Sequence, residues 1–448
     1  MSEEVATGPT GVHPIEHWVL HVDLDQFIAA VEVLRRPELT GLPVIVGGDG
    51  DPTKRGVVST ASYEAREHGV GSGMPLRLAR RKSPDAVFLP VDREAYDEAS
   101  AVVMATLRSL EWGGRPVVVE VLGWDEAFLA AGPLPDAEPA AQGAPLGRGR
   151  PWAGAAEELE AQGAADGSTT VVEAGQGSLP PLQQEVGGPA SSGKGAPGGP
   201  SGAPRADPED NLLADPLADP VRFAAHIRSR VLEETALHCS VGIGDNKLRA
   251  KIATDFGKPR GSYVLTAENW FEVMGERPTT ALWGIGSKTA KKLAALGIDT
   301  VTQLAESDAR VLAVELGPTM GPWYHRIGRG VSDSTVSAEP WVPRAHGRET
   351  TFQEDLEDWG QIAEEVRALT RQVVQDIDKE GRPAARVGLK LRYKPFFTIS
   401  RSLTLPEATN DPDRLAEAAV SLLDRVEHDR PVRLLGVRLE MVPPEGGY

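Results

Sequence analysis

Three acidic residues stand where apolar segments end, and their types and spacing suit one kind of chemistry. Asp23 closes the run WVLHVD (Trp18–Asp23), while Asp125 and Glu126 are adjacent between VVVEVLGW and AFLAAG. If those segments pair as strands, the three carboxylates converge at one end of a sheet. Carboxylates at that density repel one another unless a hard cation such as Mg²⁺ neutralises them. Two such ions about 4 Å apart are the usual arrangement for in-line displacement at phosphorus. Taken as isolated acids, however, the three are better read as strand ends facing solvent, and the Asp-Glu pair alone is weak.

Periodicity gives the elements that would position them. Trp18–Asp23 has the continuous apolar character of a buried strand, and a helical stretch follows from Phe27 to near Arg36. Further strands are predicted at Pro43–Gly48 (PVIVGG) and near Gly56–Thr60, with a helix from Ser62. Pro116–Leu129 reads as two strands flanking Gly123-Trp124-Asp125-Glu126. Past residue 210 come an amphipathic helix (VRFAAHIRSRVLEETA), a strand (HCSVGIG) and a helix (NKLRAKIATDFG). Thr279 to near Gly330 reads as a small helical unit. After a Pro-containing linker, Arg348–Val442 reads as strand, helix, two basic strands, helix and strand, a compact α+β module.

With 448 residues the chain has room for several domains, and its apolar and charged content is that of a globular protein. The start MSEEVATGPTGVHPIEHW is acidic and polar, unlike a secretory leader, and no apolar run is long enough for a membrane span. A cytoplasmic location is expected. One cysteine, Cys239, excludes an internal disulfide and a cysteine-rich zinc site. The net charge of −18 argues against nucleic-acid binding if taken globally. Its distribution matters more than its sum, because phosphates respond to the local field. Residues 131–215 hold twelve acids and four bases, whereas Gly381–Leu405 carries Arg382, Arg386, Lys390, Arg392, Lys394 and Arg401 without one acid. The Gly- and Pro-rich stretch 132–210 lacks the apolar content to offset ordering entropy, and it is expected to be a disordered insertion.

Five blocks then occur in order: HVDLDQFIAAVE, RGVVSTASYEAREHGVGSGMP, WDEAFL, SVGIGDNKLRAKIATDFGKPRG and KLRYKPFFTISRSLTL. Together they resemble the signature blocks of Y-family DNA polymerases of the DNA polymerase IV (DinB) type. The resemblance covers nearly everything but the N-terminal tail and the insertion. It implies an α+β multidomain fold of right-hand architecture, with palm, small fingers, a helical helix-hairpin-helix thumb and an α+β little finger. The implied organisation is a tail at 1–14, palm at 15–28, 92–131 and 211–262, and fingers at 29–91. The insertion at 132–210 interrupts the palm. Thumb at 263–330, linker at 331–345, little finger at 346–442 and a tail at 443–448 complete it.

Carried over position by position, the family's catalytic metal ligands fall on Asp23, Asp125, Glu126 and the backbone carbonyl of Leu24, for two Mg²⁺ ions, with Mn²⁺ as an alternative. Asp25 takes a structural role. Nucleotide contacts fall on Phe27, Ile28, Thr60, Tyr63, Arg66 and Lys258; Arg offers phosphate a planar fork and Lys a point charge. The implied activity is template-directed DNA synthesis from nucleoside triphosphates on a primer-template, of the low-fidelity translesion type without proofreading, in DNA repair.

Two departures stand out. Where the family carries an aromatic steric gate beneath the incoming sugar, this chain has Ile28. The expectation is weak discrimination against ribonucleotides; the alternative is that Ile28 still closes the pocket. Gly123 and Trp124 replace the more usual serine and aliphatic residue, and Trp124 is read as core packing beneath the site. For DNA, Gly284 and Gly286 let backbone N–H groups approach a phosphate at the start of a helix carrying Lys288. Arg386, Lys390, Arg392 and Arg401 are expected to hold DNA backbone by sequence-independent, salt-sensitive contacts. The chain stops at MVPPEGGY without the family's clamp-binding peptide, which leaves attachment to a sliding clamp open; a monomer is expected. The rival reading is a non-catalytic relative that binds DNA as a scaffold, and the intact acid triad speaks against it. A nucleotide-binding regulator of another fold does not account for five ordered blocks.

Overall fold

The computed structural model describes residues 18–133 and 219–447. The 1–14 tail and all but the first two residues of the 132–210 insertion lie outside the described residues.

At the centre lies a six-stranded sheet in the order β5-β6-β7-β1-β8-β9. Its strands are β1 (Val19–Leu24), β5 (Glu111–Trp112), β6 (Arg115–Val121), β7 (Glu126–Ala131), β8 (Cys239–Gly244) and β9 (Ser262–Leu265). Because strand side chains alternate in direction, β1 divides its residues between two covered faces. Leu20, Val22 and Leu24 join Tyr96, Val103 and Leu107 of α4 (Arg93–Arg108) and Phe223, Ile227 and Val231 of α5 (Pro220–Thr235). Val19 and His21 face the other way, onto Ala250 and Thr254 of α6 (Lys247–Gly257). Each such fully covered Val or Leu contributes about 1.5–3 kcal/mol. Gly242 admits α6 this closely: a Cβ there would stand 1.9 Å from the Ala250 carbonyl oxygen.

Between β1 and β5 run α1 (Phe27–Arg35), β2 (Val44–Val46), β3 (Thr60–Ala61), α2 (Tyr63–Glu67), α3 (Leu76–Lys82) and β4 (Val87–Leu89). Sheet β3-β2-β4 and helices α2 and α3 enclose a small core of Ile45, Val58, Ala65 and Leu76. The strand expected near Gly56–Thr60 shrinks to two residues, because Val58 exchanges backbone hydrogen bonds with the 73–74 turn at 2.8 Å instead.

After β9 come α7 (Trp270–Met274), α8 (Ser287–Ala295), α9 (Val301–Glu306), α10 (Ala309–Leu316) and α11 (Met320–Gly328). They share a core with Leu248 and Ile252 of α6, so α6 serves the sheet and this helical unit at once. One boundary moves. β9, assigned to the thumb by a limit at 263, pairs parallel with β8 and belongs to the central sheet. The last unit is the sheet β10-β13-β11-β12, formed by β10 (Ala345–Leu356), β11 (Ala384–Tyr393), β12 (Phe397–Thr409) and β13 (Val432–Met441). Helices α12 (Trp359–Glu380) and α13 (Pro412–Ser421) cover one face through Ile362, Val366, Val373, Leu415 and Ala419. Among the described residues no helix is long and apolar enough to cross a membrane.

Candidate active site

The two strands predicted to carry the acids do pair. β1 and β7 are antiparallel neighbours with Asp23 opposite Glu126, and the Leu24 N–H donates to the Asp125 carbonyl at 2.8 Å. The same alternation that buries Val22 puts His21, Asp23 and Glu126 on the face of α6. That helix supplies the counter-charge. Lys258, at its C-cap, lies 2.9 Å from Asp23 Oδ2, and Lys251 Nζ donates to Glu126 Oε2. His21 Nε2 lies 3.3 Å from the same Glu126 oxygen, with its Nδ1 2.8 Å from Thr254 Oγ1. Among the described residues no group of three or more His, Cys, Asp or Glu side chains is arranged to hold a metal ion. Asp23 and Glu126 are each drawn onto a lysine instead.

The electrostatics follow from these contacts. Burial would raise Glu126, but His21 and Lys251 outweigh it and hold the carboxyl below its usual range. For Asp125 the balance reverses: burial, with Asp23 and Glu126 adding repulsion, outweighs the pull of Lys251 and pushes it up to about 6. Burial, reinforced by Lys251, lowers His21 to about 4 and keeps the ring neutral near pH 7. Burial opposes the charge of Lys258, yet Asp23 prevails and raises it. A corner with three carboxylates and two lysines thus still carries one acid short of positive charge. Its hard oxygen donors suit a divalent cation in kind.

Asp25 turns the other way, into the structure. It is 3% exposed and accepts hydrogen bonds from Tyr63 Oη at 3.0 Å, Ser240 Oγ at 2.9 Å and the Arg260 N–H at 2.9 Å. Beside it Gln26 adopts a left-handed backbone (φ 47°), and its Oε1 accepts the Tyr63 N–H. The Tyr63 hydroxyl is therefore committed to Asp25 rather than presented as a free donor. Burial and Asp25 raise its pKa, so it stays protonated. Arg66 stacks 5.1 Å from the Tyr63 ring centroid and donates from Nε to the Ala61 carbonyl, leaving the rest of an exposed guanidinium facing outward. Thr60 lies on β3 just before these residues. Phe27 is buried in the core beside the central sheet, and Ile28 packs half-buried against it. Trp124 adds a polar contact to its expected packing. It packs half-buried against the central core, as expected, while its indole Nε1–H reaches out to donate to the exposed Asp97 at 2.7 Å.

Away from the acids, Gly284 has φ +93°, where a Cβ would stand 2.6 Å from the Trp323 ring. Gly286 caps α8, and Lys288 is exposed on the first turn. On β11, Arg386 and Lys390 lie on the face opposite α12 and α13, Lys390 bonded to Glu349 at 2.8 Å. Two further basic residues do not join them. Arg392 is only 3% exposed, with Nε donating to Thr398, so it offers phosphate no open guanidinium face. Arg401 pairs in register with Leu389, which puts it on the helix-covered face, where its Nε donates to the Arg425 carbonyl.

Sequence reasoning missed His21, Lys251 and Gln26. Two of them carried a signal: His21 stands two residues before Asp23 on one strand face, and Lys251 follows Lys247 by one helical turn. Gln26 had none, since its left-handed backbone is not legible in a Gln.

Comparison with known proteins shows the family. The family model described as impB/mucB/samB family matches residues 22–255, and the model of that family's C-terminal domain matches residues 343–448. "DNA polymerase IV 2" of Mycobacterium tuberculosis is 41% identical over 425 residues, covering 95% of this chain and 98% of that protein. DNA polymerase IV of Methanoculleus marisnigri is 34% identical, covering 96% and 95%. Among solved structures, a Y-family DNA polymerase chimera of Dbh and Dpo4 superposes with a TM-score of 0.66 at 21% identity, over 94% of this chain and 98% of that one. An insertion ternary complex of Dbh DNA polymerase gives 0.52 at 21% identity, over 95% and 99%. These structural matches establish the fold.

Proposed function

The chain belongs to the impB/mucB/samB family of Y-family DNA polymerases, and from that premise we propose a translesion enzyme that extends a primer 3′-hydroxyl by two-metal phosphoryl transfer. The observation that carries the reading is the pairing of Asp23 with Glu126 across β1 and β7, with Asp125 next to Glu126 in the turn that enters β7. Asp23, Asp125, Glu126 and the backbone carbonyl of Leu24 would hold two Mg²⁺ ions, and Mn²⁺ suits the same oxygens. Ions bound there would supply Lewis-acid activation of the primer hydroxyl and neutralise charge on the phosphoryl group.

The chain's own residues do the rest. Lys258 and the outward guanidinium of Arg66 bind triphosphate oxygens, the first as a point charge and the second as a fork. Thr60 and Tyr63 line the same edge, and Asp25 holds that edge to the palm through Tyr63, Ser240 and Arg260. Phe27 and Ile28 sit beneath the sugar, where an aliphatic floor gives weak discrimination against a 2′-hydroxyl. Gly284, Gly286 and Lys288 grip the duplex backbone, and Arg386 and Lys390 extend that grip to the last sheet. Low fidelity follows from small fingers over an open site.

Primer extension with Mg²⁺ tests the reading, comparing wild type with Asp125→Ala. Extension by the wild type that is lost in the variant is expected. A wild type that binds primer-template without extending it would favour the scaffold reading.

A further inference from the structure

Trp124 immediately precedes the acid pair, and α4 holds it at four points. The indole Nε1–H donates to Asp97 Oδ1 at 2.7 Å, and the main-chain carbonyl of Trp124 accepts from Ser100 Oγ at 2.7 Å. Tyr96 meets the ring edge-on with centroids 6.0 Å apart, and the Arg93 guanidinium lies 5.5 Å over its centroid. Residues 93, 96, 97 and 100 form one stripe of a helix, spaced by three and four. A single helical face therefore addresses a single residue.

Beyond α4, the turn rests on its own backbone and on β1, where Glu126 pairs with Asp23. Leu122 and Gly123 both donate their N–H to the Glu126 carbonyl, at 3.0 and 3.4 Å. Gly123 adds no side chain: a Cβ there would find Asp125 Oδ1 as its nearest neighbour, 3.7 Å away. Asp125 is bracketed by two main-chain contacts, Leu24 N–H on its own carbonyl and Ser100 on the carbonyl before it. Releasing the second lets the intervening peptide rotate and swings the Asp125 carboxylate.

We propose that Trp124 is a positioning residue for phosphoryl transfer: gripped by α4, it sets where Asp125 and Glu126 stand. The inference rests on the reading of those two acids as catalytic. It assigns Trp124 no contact with substrate. A misplacement of about 1 Å can cost up to about 10²-fold in rate, so a turn braced between β1 and α4 is sensitive to loosening on the α4 side.

Steady-state single-nucleotide extension by the full chain tests it, with kcat and nucleotide KM measured separately. Trp124→Leu and Asp97→Leu are each expected to lower kcat about tenfold while KM stays within about twofold. Asp97→Asn, whose amide oxygen still accepts the indole N–H, should recover most of kcat. The double variant Trp124→Leu/Asp97→Leu should fall no further than Trp124→Leu alone, because the contact that Asp97→Leu removes is already lost with the indole. An unchanged kcat, a loss confined to KM, a fully multiplicative double variant, or an Asp97→Asn as slow as Asp97→Leu would each overturn the proposal. If Trp124→Leu does not fold, the Asp97 pair decides alone, since Asp97 is exposed and its substitution leaves the core intact. Asp125→Ala, run alongside, separates the two levels: activity retained there removes the catalytic reading of the acids, whatever the Trp124 variants do.

Discussion

Ile28 begins on backbone geometry. Gln26 turns the chain left-handed after β1, α1 starts at Phe27, and the buried Phe27 orients its neighbour toward the edge of the core beside the central sheet. A branched aliphatic side chain in that place is shorter than an aromatic ring and flexes less than a linear one. Apolar pockets reject an added hydroxyl by only about 10²-fold even when well shaped. Wild-type protein is therefore expected to use ribonucleotides and deoxynucleotides at comparable rates opposite one template base, and Ile28→Phe should raise the deoxy preference by about 10²-fold. Paired single-turnover rates check this; a strong deoxy preference in the wild type that Ile28→Ala abolishes would show that Ile28 already closes the pocket. At this scale the sequence revealed the acids and their strands, because buried strands leave continuous apolar runs. It did not reveal the lysines facing Asp23 and Glu126. Which basic residue meets which acid depends on how α6 lies across the sheet, and that is a tertiary fact.

Elements are placed by what their glycines allow. HCSVGIG was legible as a strand from its apolar run, but the role of Gly242 appears only when α6 is laid within contact of it. The short β9 was not legible for a related reason: four residues leave too little periodicity to show which sheet they join, and only the parallel register with β8 decides. Gly284 makes the element-scale consequence testable. Its positive φ excludes most side chains, and the Trp323 ring fills the space a Cβ would need. Gly284→Ala should tilt the hairpin that opens α8 and move the backbone N–H groups away from a phosphate. Primer-template affinity, measured by fluorescence anisotropy, is expected to fall about tenfold, as a strain of about 1–2 kcal/mol would give. Nucleotide KM at saturating DNA should stay unchanged. A loss confined to nucleotide binding would refute a DNA-gripping role for this hairpin.

At the scale of the molecule, residues far apart in sequence join the first small sheet to the last one. Arg55 and Gln353 exchange hydrogen bonds, Arg55 N–H to Gln353 Oε1 at 2.8 Å and Gln353 Nε2–H to the Arg55 carbonyl at 3.0 Å. The Arg55 guanidinium donates to the Phe352 carbonyl and to Asp355, both largely covered. No motif announced this clasp, since neither partner is unusual alone and 297 or more residues separate them. The hydrogen bond from Arg55 holds the Asp355 carboxyl below its usual range, with Lys394 and Arg433 adding to the effect. The folded form of Asp355 thus prefers to be ionised. A carboxyl lowered in this way contributes stability that is present above its ordinary pKa and lost as pH falls through the lowered one. The clasp should then hold at pH 7 and weaken below about pH 4. Asp355→Asn and Arg55→Ala are expected to open it at pH 7, speeding hydrogen exchange at residues 54–58 and 350–356 while exchange in β1 and β8 stays unchanged. Distance between fluorophores on the two sheets should increase in wild type on acidification and show no such change in Asp355→Asn. Equal exchange in variant and wild type would mean that the two sheets are held together by their remaining contacts, and that the ion pair adds nothing to the arrangement.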